Sequence, residues 1–188
     1  FVSIAVLFSL NAGPSAAAVV VPPGELVVGQ TQLALAEQWT QWALGIPAAT
    51  NPIADLDGGF AQINNNGNVF FLAGNFGGPG FPPRTISVPF GKPLFFPVLN
   101  AFDVEWPSGT HTTAAFPTCF DPPGTSESDA LVCAKNALAP YQIGSATDLY
   151  AKLDGVTLVT NVPSFRQTSS AFFVPSQKVV ELICSGSC

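Results

Sequence analysis

The stretch NVFFLAGNFGGPGFPPRTISVPFGKPLFFPVLN, residues 68 to 100, packs apolar runs between turn-forming residues more densely than any other part of the chain. It holds three apolar runs: Val69 to Ala73, Ile86 with Val88, and Leu94 to Phe96 continuing into Val98 and Leu99. Each is short, rich in β-branched or aromatic side chains, and bounded by Gly, Pro and Asn clusters, the pattern of strands separated by turns. A fully buried large apolar side chain stabilises by roughly 1.5–3 kcal/mol, so this aromatic density marks the region as the centre of the core.

Composition extends that reading to the whole chain. A length of 188 residues suits one domain with a sizeable core. Hydrophobic residues make up 47% against 10% charged, and eighteen prolines with seventeen glycines imply many turns rather than long helices, hence a mainly β fold. The formal charge is −6 and the six basic residues form no cluster, which argues against a nucleic-acid partner.

Phe1 to Leu10 is an apolar run followed by Asn11, Gly13, Pro14 and the small residues Ala16-Ala17-Ala18. That is the pattern of a secretory signal peptide over residues 1–18, cleaved after Ala18. A bilayer span needs about 20 apolar residues, so the run reads as a leader and no integral membrane span is expected. With Phe rather than Met first and no basic n-region, either the reading frame starts upstream or Phe1 is a processed terminus. Type IV pilins also begin with Phe, but they carry an acid where this chain has Ala5, and an unbroken helix beyond Asn11.

Four cysteines behind an export signal favour disulfides. Of three connectivities, the preferred one joins Cys119 to Cys133, around Asp121-Pro122-Pro123-Gly124, and Cys184 to Cys188. The rival is a thiolate metal site, but the chain has one histidine and no C-x2-C pair, and no cofactor is expected.

Along the chain, Val19 to Val28 reads as an extended segment broken by Pro22-Pro23-Gly24, suited to an edge strand or a terminal strap. An amphipathic helix follows over about residues 31–45. Thr31 is its N-cap, Leu35, Trp39, Trp42 and Ile46 share one face, and Gln32, Glu37, Gln38 and Gln41 point mostly away from it. The two tryptophans could stack on a sugar, but on the apolar face of a helix they read first as core. In the long connection Pro47 to Asn68, Asp55 and Asp57 are weak calcium candidates, since the ligand order and terminal glutamate of an EF-hand loop are missing. Turn chemistry, with Asn and Gly taking positive φ, is the simpler reading there. A short second helix is expected over about 126–138, with Ser126 as cap and Glu127 and Asp129 in its first turn. Asp154-Gly155 between Asp148–Leu153 and Val156–Val159 is the strongest hairpin signal, and strands follow over 165–174 and 178–183.

Candidate chemistry centres on Asp103-Val104-Glu105-Trp106. On a strand, Asp103 and Glu105 project from one face beside an aromatic that could stack on a sugar, a glycan-binding arrangement. The segment is similar to the E-x-D-x-E strand of jelly-roll endoglucanases, but the nucleophile position is Ala101. Retaining hydrolysis needs two carboxyl groups about 5 Å apart. His111 has no G-x-S-x-G nucleophile to serve, and Gly77-Gly78-Pro79-Gly80 lacks the Lys-Ser/Thr ending of a phosphate loop.

Several segments together resemble an uncharacterised family of secreted bacterial proteins, some with carboxy-terminal surface-sorting tails. They are Trp39-Thr40-Gln41-Trp42-Ala43-Leu44-Gly45-Ile46-Pro47; Asn51-Pro52 with Asp55 and Gly58; Val69-Phe70-Phe71-Leu72-Ala73-Gly74; and Arg84 leading into Val88-Pro89-Phe90-Gly91-Lys92-Pro93-Leu94-Phe95-Phe96-Pro97-Val98-Leu99-Asn100. Leu153-Asp154-Gly155-Val156, Phe165-Arg166 and Phe172 extend the likeness. The resemblance implies export, a β-rich domain, bacterial origin and a chain that continues past Cys188, and it implies no activity.

The expectation is therefore a single β-rich domain over 19–188, a β-sandwich or jelly-roll-like fold with one packed helix and a shorter second one. Its expected role is that of a secreted or cell-surface, non-enzymatic protein of structural or binding type. A sharper form makes it a subunit of an extracellular assembly, self-associating when Val19–Val28, or an uncleaved Phe1–Leu10, joins a neighbour's sheet edge. The alternative is a carbohydrate-active protein that binds or hydrolyses an extracellular glycan through Asp103, Glu105 and Trp106.

Overall fold

Thr31 opens the helix as its spacing requires. In the computed structural model, which describes residues 2–9, 19–74, 84–101, 150–153, 156–160 and 162–168, Thr31 is extended and its Oγ1 accepts the Ala34 N–H at 3.1 Å. Helix α1 then runs Gln32–Leu44. It ends at Gly45, where the constraint is space: a Cβ there would lie 2.5 Å from the Gln41 carbonyl oxygen. Leu35, Trp39, Trp42 and Ile46 are all buried, as their spacing predicts.

Burial does not stop at that stripe, for Ala36, Thr40, Ala43 and Leu44 are buried too. A helix apolar around most of its circumference is enclosed rather than laid on a surface. Gln32, expected to face away from the core, is only 3% exposed, and its Nε2 donates to the Val21 and Pro22 carbonyls at 3.2 and 2.8 Å. The strap before the helix is thus tied to the helix's first turn, which corrects the outward placement of that side chain.

Five strands form one sheet. β1 is Val2–Ser9, β2 Val19–Val20, β3 Phe70–Phe71 and β4 Leu94–Ala101, in the order β2-β1-β4-β3. A separate hairpin of β5 (Ala151–Leu153) and β6 (Val156–Val159) precedes β7 (Arg166–Thr168), which also pairs with β1. β5 and β6 are antiparallel with Leu153 in register with Val156, as the hairpin reading expects, and Asp154-Gly155 themselves lie outside the described residues.

β1 and β4 are antiparallel over seven residue pairs, from Val2↔Ala101 to Phe8↔Leu94. Their register shifts between Ile4↔Leu99 and Ala5↔Pro97, leaving Val98 as an extra residue. Pro97 has no N–H to give to a ladder, and a bulge is where an interior strand tolerates that loss.

β3 and β4 are parallel, with Phe70↔Leu94 and Phe71↔Phe95 in register. Phe70 N–H donates to the Pro93 carbonyl at 2.8 Å and Leu72 N–H to that of Phe95 at 2.9 Å. The core lies where these aromatics meet α1. Trp42 lies 5.7 Å from Phe71, which meets Phe95 edge-on at 5.9 Å.

Among the described residues the architecture is one α-helix with a few short strands. The run around Ile86 and Val88, read as a strand, is half-buried but joins no sheet; it lies along the preceding loop, with Thr85 N–H donating to the Asp57 carbonyl at 3.1 Å. The expected helix over 126–138, the strand over 178–183 and most of that over 165–174 lie outside the described residues. No described helix is long and apolar enough to cross a membrane.

Candidate interaction surface

The loop from Pro47 to Asn68 has little regular structure, so its shape depends on where its polar side chains find partners. Asn51 is fully buried. Its Nδ2 donates to the carbonyls of Ala43 and Ile46 at 2.7 and 2.8 Å, and its Oδ1 accepts Ile53 N–H at 2.9 Å. One side chain thereby serves the Ala43 carbonyl in the last turn of α1 and the Ile46 carbonyl just beyond its cap.

Asn65 performs a strand's task. The N–H groups of Phe70 and Leu72 face β4, so the polar groups of Phe71 face the other way. There Asn65 Nδ2 donates to the Phe71 carbonyl at 2.8 Å and Asn65 Oδ1 accepts Phe71 N–H at 3.0 Å. Nδ2 also reaches the Ala61 carbonyl at 2.8 Å. An edge strand whose outer groups are satisfied in this way is closed to further pairing at that residue.

Asp55, 5% exposed, accepts three main-chain N–H bonds: Asp57 and Gly58 at Oδ1, both 3.1 Å, and Phe60 at Oδ2, 2.8 Å. Burial acts to raise its pKa, but the N–H groups of Phe60, Asp57 and Gly58 together outweigh it, and the carboxyl is held below the ordinary aspartate value. Asp57 Oδ1 accepts Gly59 N–H at 2.9 Å. The two weak calcium candidates therefore both bind their own loop's main chain. Gly58 and Asn64 take positive φ, 98° and 53°.

Arg84 closes the loop from outside. Its Nη1 donates to the Pro52 carbonyl at 2.9 Å and lies 3.5 Å from that of Asp55, while Nη2 donates to the Ala73 carbonyl. The planar fork of a guanidinium suits such divergent acceptors. The tryptophans follow the same rule, Trp39 Nε1 donating to Leu72 and Trp42 Nε1 to Ile63, both at 2.8 Å. Both rings are buried, in agreement with their reading as core.

What the frame presents outward is apolar. Phe90 is 79% exposed at the apex of the turn Pro89–Lys92, closed by Lys92 N–H to the Pro89 carbonyl with Gly91 at φ 77°. Leu26, Leu56 and Val28 are each more than half exposed. Val28 occupies the first central position of a tight turn, with Val27 and Gln30 bridged across it, at φ 50°. That φ is a strained conformation for a β-branched residue.

The second outward feature is a slot along β4, filled by β1, whose other edge carries β2 and β7. Sequence reasoning had no signal for the roles of Asn51, Asn65 and Arg84, because a side chain bonding to main chain leaves no periodicity. Asp103, Glu105, Trp106, His111, Cys119, Cys133, Cys184 and Cys188 lie outside the described residues. No family model matches the chain, and neither curated proteins nor solved structures include one significantly similar to it.

Proposed function

We propose that this chain is a secreted or cell-surface protein of structural or binding type, built on a mainly β, sandwich-like domain and working as a non-enzymatic subunit of an extracellular assembly. The slot beside β4 supports this reading most directly. Its occupant, Val2–Ser9, belongs to the stretch that carries the features of a secretory leader. Removal of residues 1–18 on export strips β4 of its antiparallel neighbour at seven positions and leaves β2 and β7 without β1. An open edge of that length binds an extended segment of another chain through main-chain hydrogen bonds. The exposed side chains of Leu26, Leu56 and Phe90 supply further apolar contact area.

The test is intact mass and amino-terminal analysis of the exported protein, with and without reduction, followed by sedimentation over a wide concentration range. The expected result is a chain starting at Val19, with its thiols oxidised, that associates as concentration rises. A Val19–Cys188 form that remains monomeric throughout refutes the assembly reading.

A further inference from the structure

Asn66 and Gly67 form the one Asn-Gly pair in the chain, and they lie exposed in the loop that leads into β3. Among the described residues neither the Asn66 side-chain amide nor the Gly67 N–H has a hydrogen-bond partner, although the adjacent Asn65 has three. We propose that Asn66-Gly67 is a self-modifying site, where the amide converts to a carboxylate in the native protein and loosens the Asn65 bridge to β3.

The chemistry needs only water. The main-chain nitrogen of Gly67 attacks Cγ of Asn66, forming a C–N bond; its proton passes to the departing amide, the Cγ–Nδ2 bond breaks and ammonia leaves. Water then opens the cyclic imide at either carbonyl. One opening gives aspartate; the other gives isoaspartate, in which the main chain runs through the side-chain carbon. Glycine on the carboxyl side leaves the attacking nitrogen uncrowded, and asparagine is among the thermolabile residues for this reason.

The fold contains its own control. Asp57-Gly58 has the same glycine and, when its carboxyl is protonated, can form the same imide, with water as the leaving group. There Gly58 N–H is held by Asp55 Oδ1 at 3.1 Å, and Asp57 Oδ1 is held by Gly59 N–H at 2.9 Å. Gly58 is also fixed at φ 98°, packed so closely that a Cβ would lie 2.3 Å from the Thr85 carbonyl oxygen. Asn51 precedes Pro52, whose nitrogen carries no N–H and cannot serve as the nucleophile. Of these three positions, native geometry leaves Asn66 free to react.

The consequence follows from position. Isoaspartate adds a main-chain carbon between Asn65 and Phe71, the two residues whose amide-to-main-chain bonds close the outer edge of β3. A new negative charge joins a segment that is otherwise uncharged from Gly58 to Val69. Conversion thus weakens the closure of that edge as the molecule ages.

The experiment holds the full chain, native and in parallel unfolded in urea, in mildly alkaline and in mildly acidic buffer. Peptides are sampled over days by mass spectrometry and by enzymatic methylation of isoaspartate. In mildly alkaline buffer the native peptide containing Asn66 converts at a rate near its rate in urea; at about pH 5, where part of the unfolded aspartate is protonated, the Asp57-Gly58 bond reacts in urea and not in the native chain. Gly67→Ala is a clean block, because a Cβ at residue 67 meets nothing closer than the Val69 carbonyl oxygen at 3.8 Å. It slows conversion on the order of tenfold or more by crowding the nitrogen. Native Asn66 converting far more slowly than Asn66 in urea, or an undiminished rate in Gly67→Ala, overturns the site. Hydrogen exchange reads the coupling: the Phe71 amide of converted molecules exchanges roughly fivefold faster or more, the effect of one lost hydrogen bond. Equal protection in converted and unconverted molecules overturns that part.

Discussion

Replacing Asn51 with Ala tests whether a single side chain holds the end of α1 to the loop that follows. The residue is fully buried and makes three hydrogen bonds of 2.7 to 2.9 Å. Truncation removes all three and strands two carbonyls and one N–H, each costing about 1–3 kcal/mol when buried without a partner. The void left by a carboxamide is large enough for a water to recover part of that loss, which places the net cost at about 3–5 kcal/mol. With a urea m-value of about 2 kcal/mol/M, the unfolding midpoint falls by about 1.5–2.5 M. The assay is equilibrium unfolding followed by fluorescence, since Trp39 and Trp42 are buried on the helix that Asn51 anchors. Asn51→Asp separates geometry from volume, because it keeps the acceptor for Ile53 N–H but turns an oxygen toward the Ala43 and Ile46 carbonyls; it is expected to be at least as damaging as Ala. A midpoint shift under about 0.5 M at unchanged m, roughly 1 kcal/mol, refutes the assignment of the loop's shape to this residue.

Two further outcomes are expected. Val28→Asn relieves a β-branched residue at φ 50° on an exposed turn and raises stability by about 1 kcal/mol, read as a higher unfolding midpoint; an unchanged or lower midpoint contradicts the strain. Asp55 has a folded pKa below its unfolded value of about 3.9, so its contribution is complete above that pH and is lost as pH falls through the lower folded value. Asp55→Asn then flattens the acid limb of the stability profile and costs about 1–2 kcal/mol at neutral pH; parallel profiles for the two proteins count against the carboxylate's role.

Elements with a period or a local signal were legible in the sequence. Thr31, the Leu35-Trp39-Trp42 spacing and Gly45 defined α1, and Asp154-Gly155 signalled the antiparallel pairing of β5 with β6. Signals that depend on contacts distant in sequence were not. Val69–Ala73 and Leu94–Leu99 read as strands, but nothing local shows that β3 and β4 run parallel or that only two residues of the first run join the ladder. Ile86 and Val88 alternate like a strand and still join no sheet, because the polar groups around them go to the loop: Thr85 N–H to Asp57 and the Gln62 side chain to the Ser87 carbonyl. Gln32 fell on the polar side of a helical projection and is buried, since the strap placed two carbonyls against it. Asp55 lies between the two cases: turn chemistry is its simpler reading and its oxygens do face nearby main-chain donors, but acidic residues among glycines look alike in sequence whether the partner is an ion or an N–H.

These staples explain how a connection of about twenty residues keeps a defined path without strands of its own, which loops of that length seldom do. Asn51 ties its start to α1, Asp55 folds its middle, Asn65 ties its end to β3, and Arg84 joins the start to Ala73 beyond β3. Each tie uses side chain to main chain bonds, so the loop adds no open ladder of its own. β3 meets β4 on one side and Asn65 on the other, which closes that end of the sheet at Phe71. Among the described residues the opposite edge of β4 is closed by Val2–Ser9 alone. Conversion at Asn66 acts on the first closure and loss of residues 1–18 on the second. The two are separable: Gly67→Ala should leave association of the Val19–Cys188 form unchanged, and removal of residues 1–18 should leave the Asn66 rate unchanged. A variant blocked at residue 67 that also loses association would show that β3, and not the slot beside β4, is the edge through which copies meet.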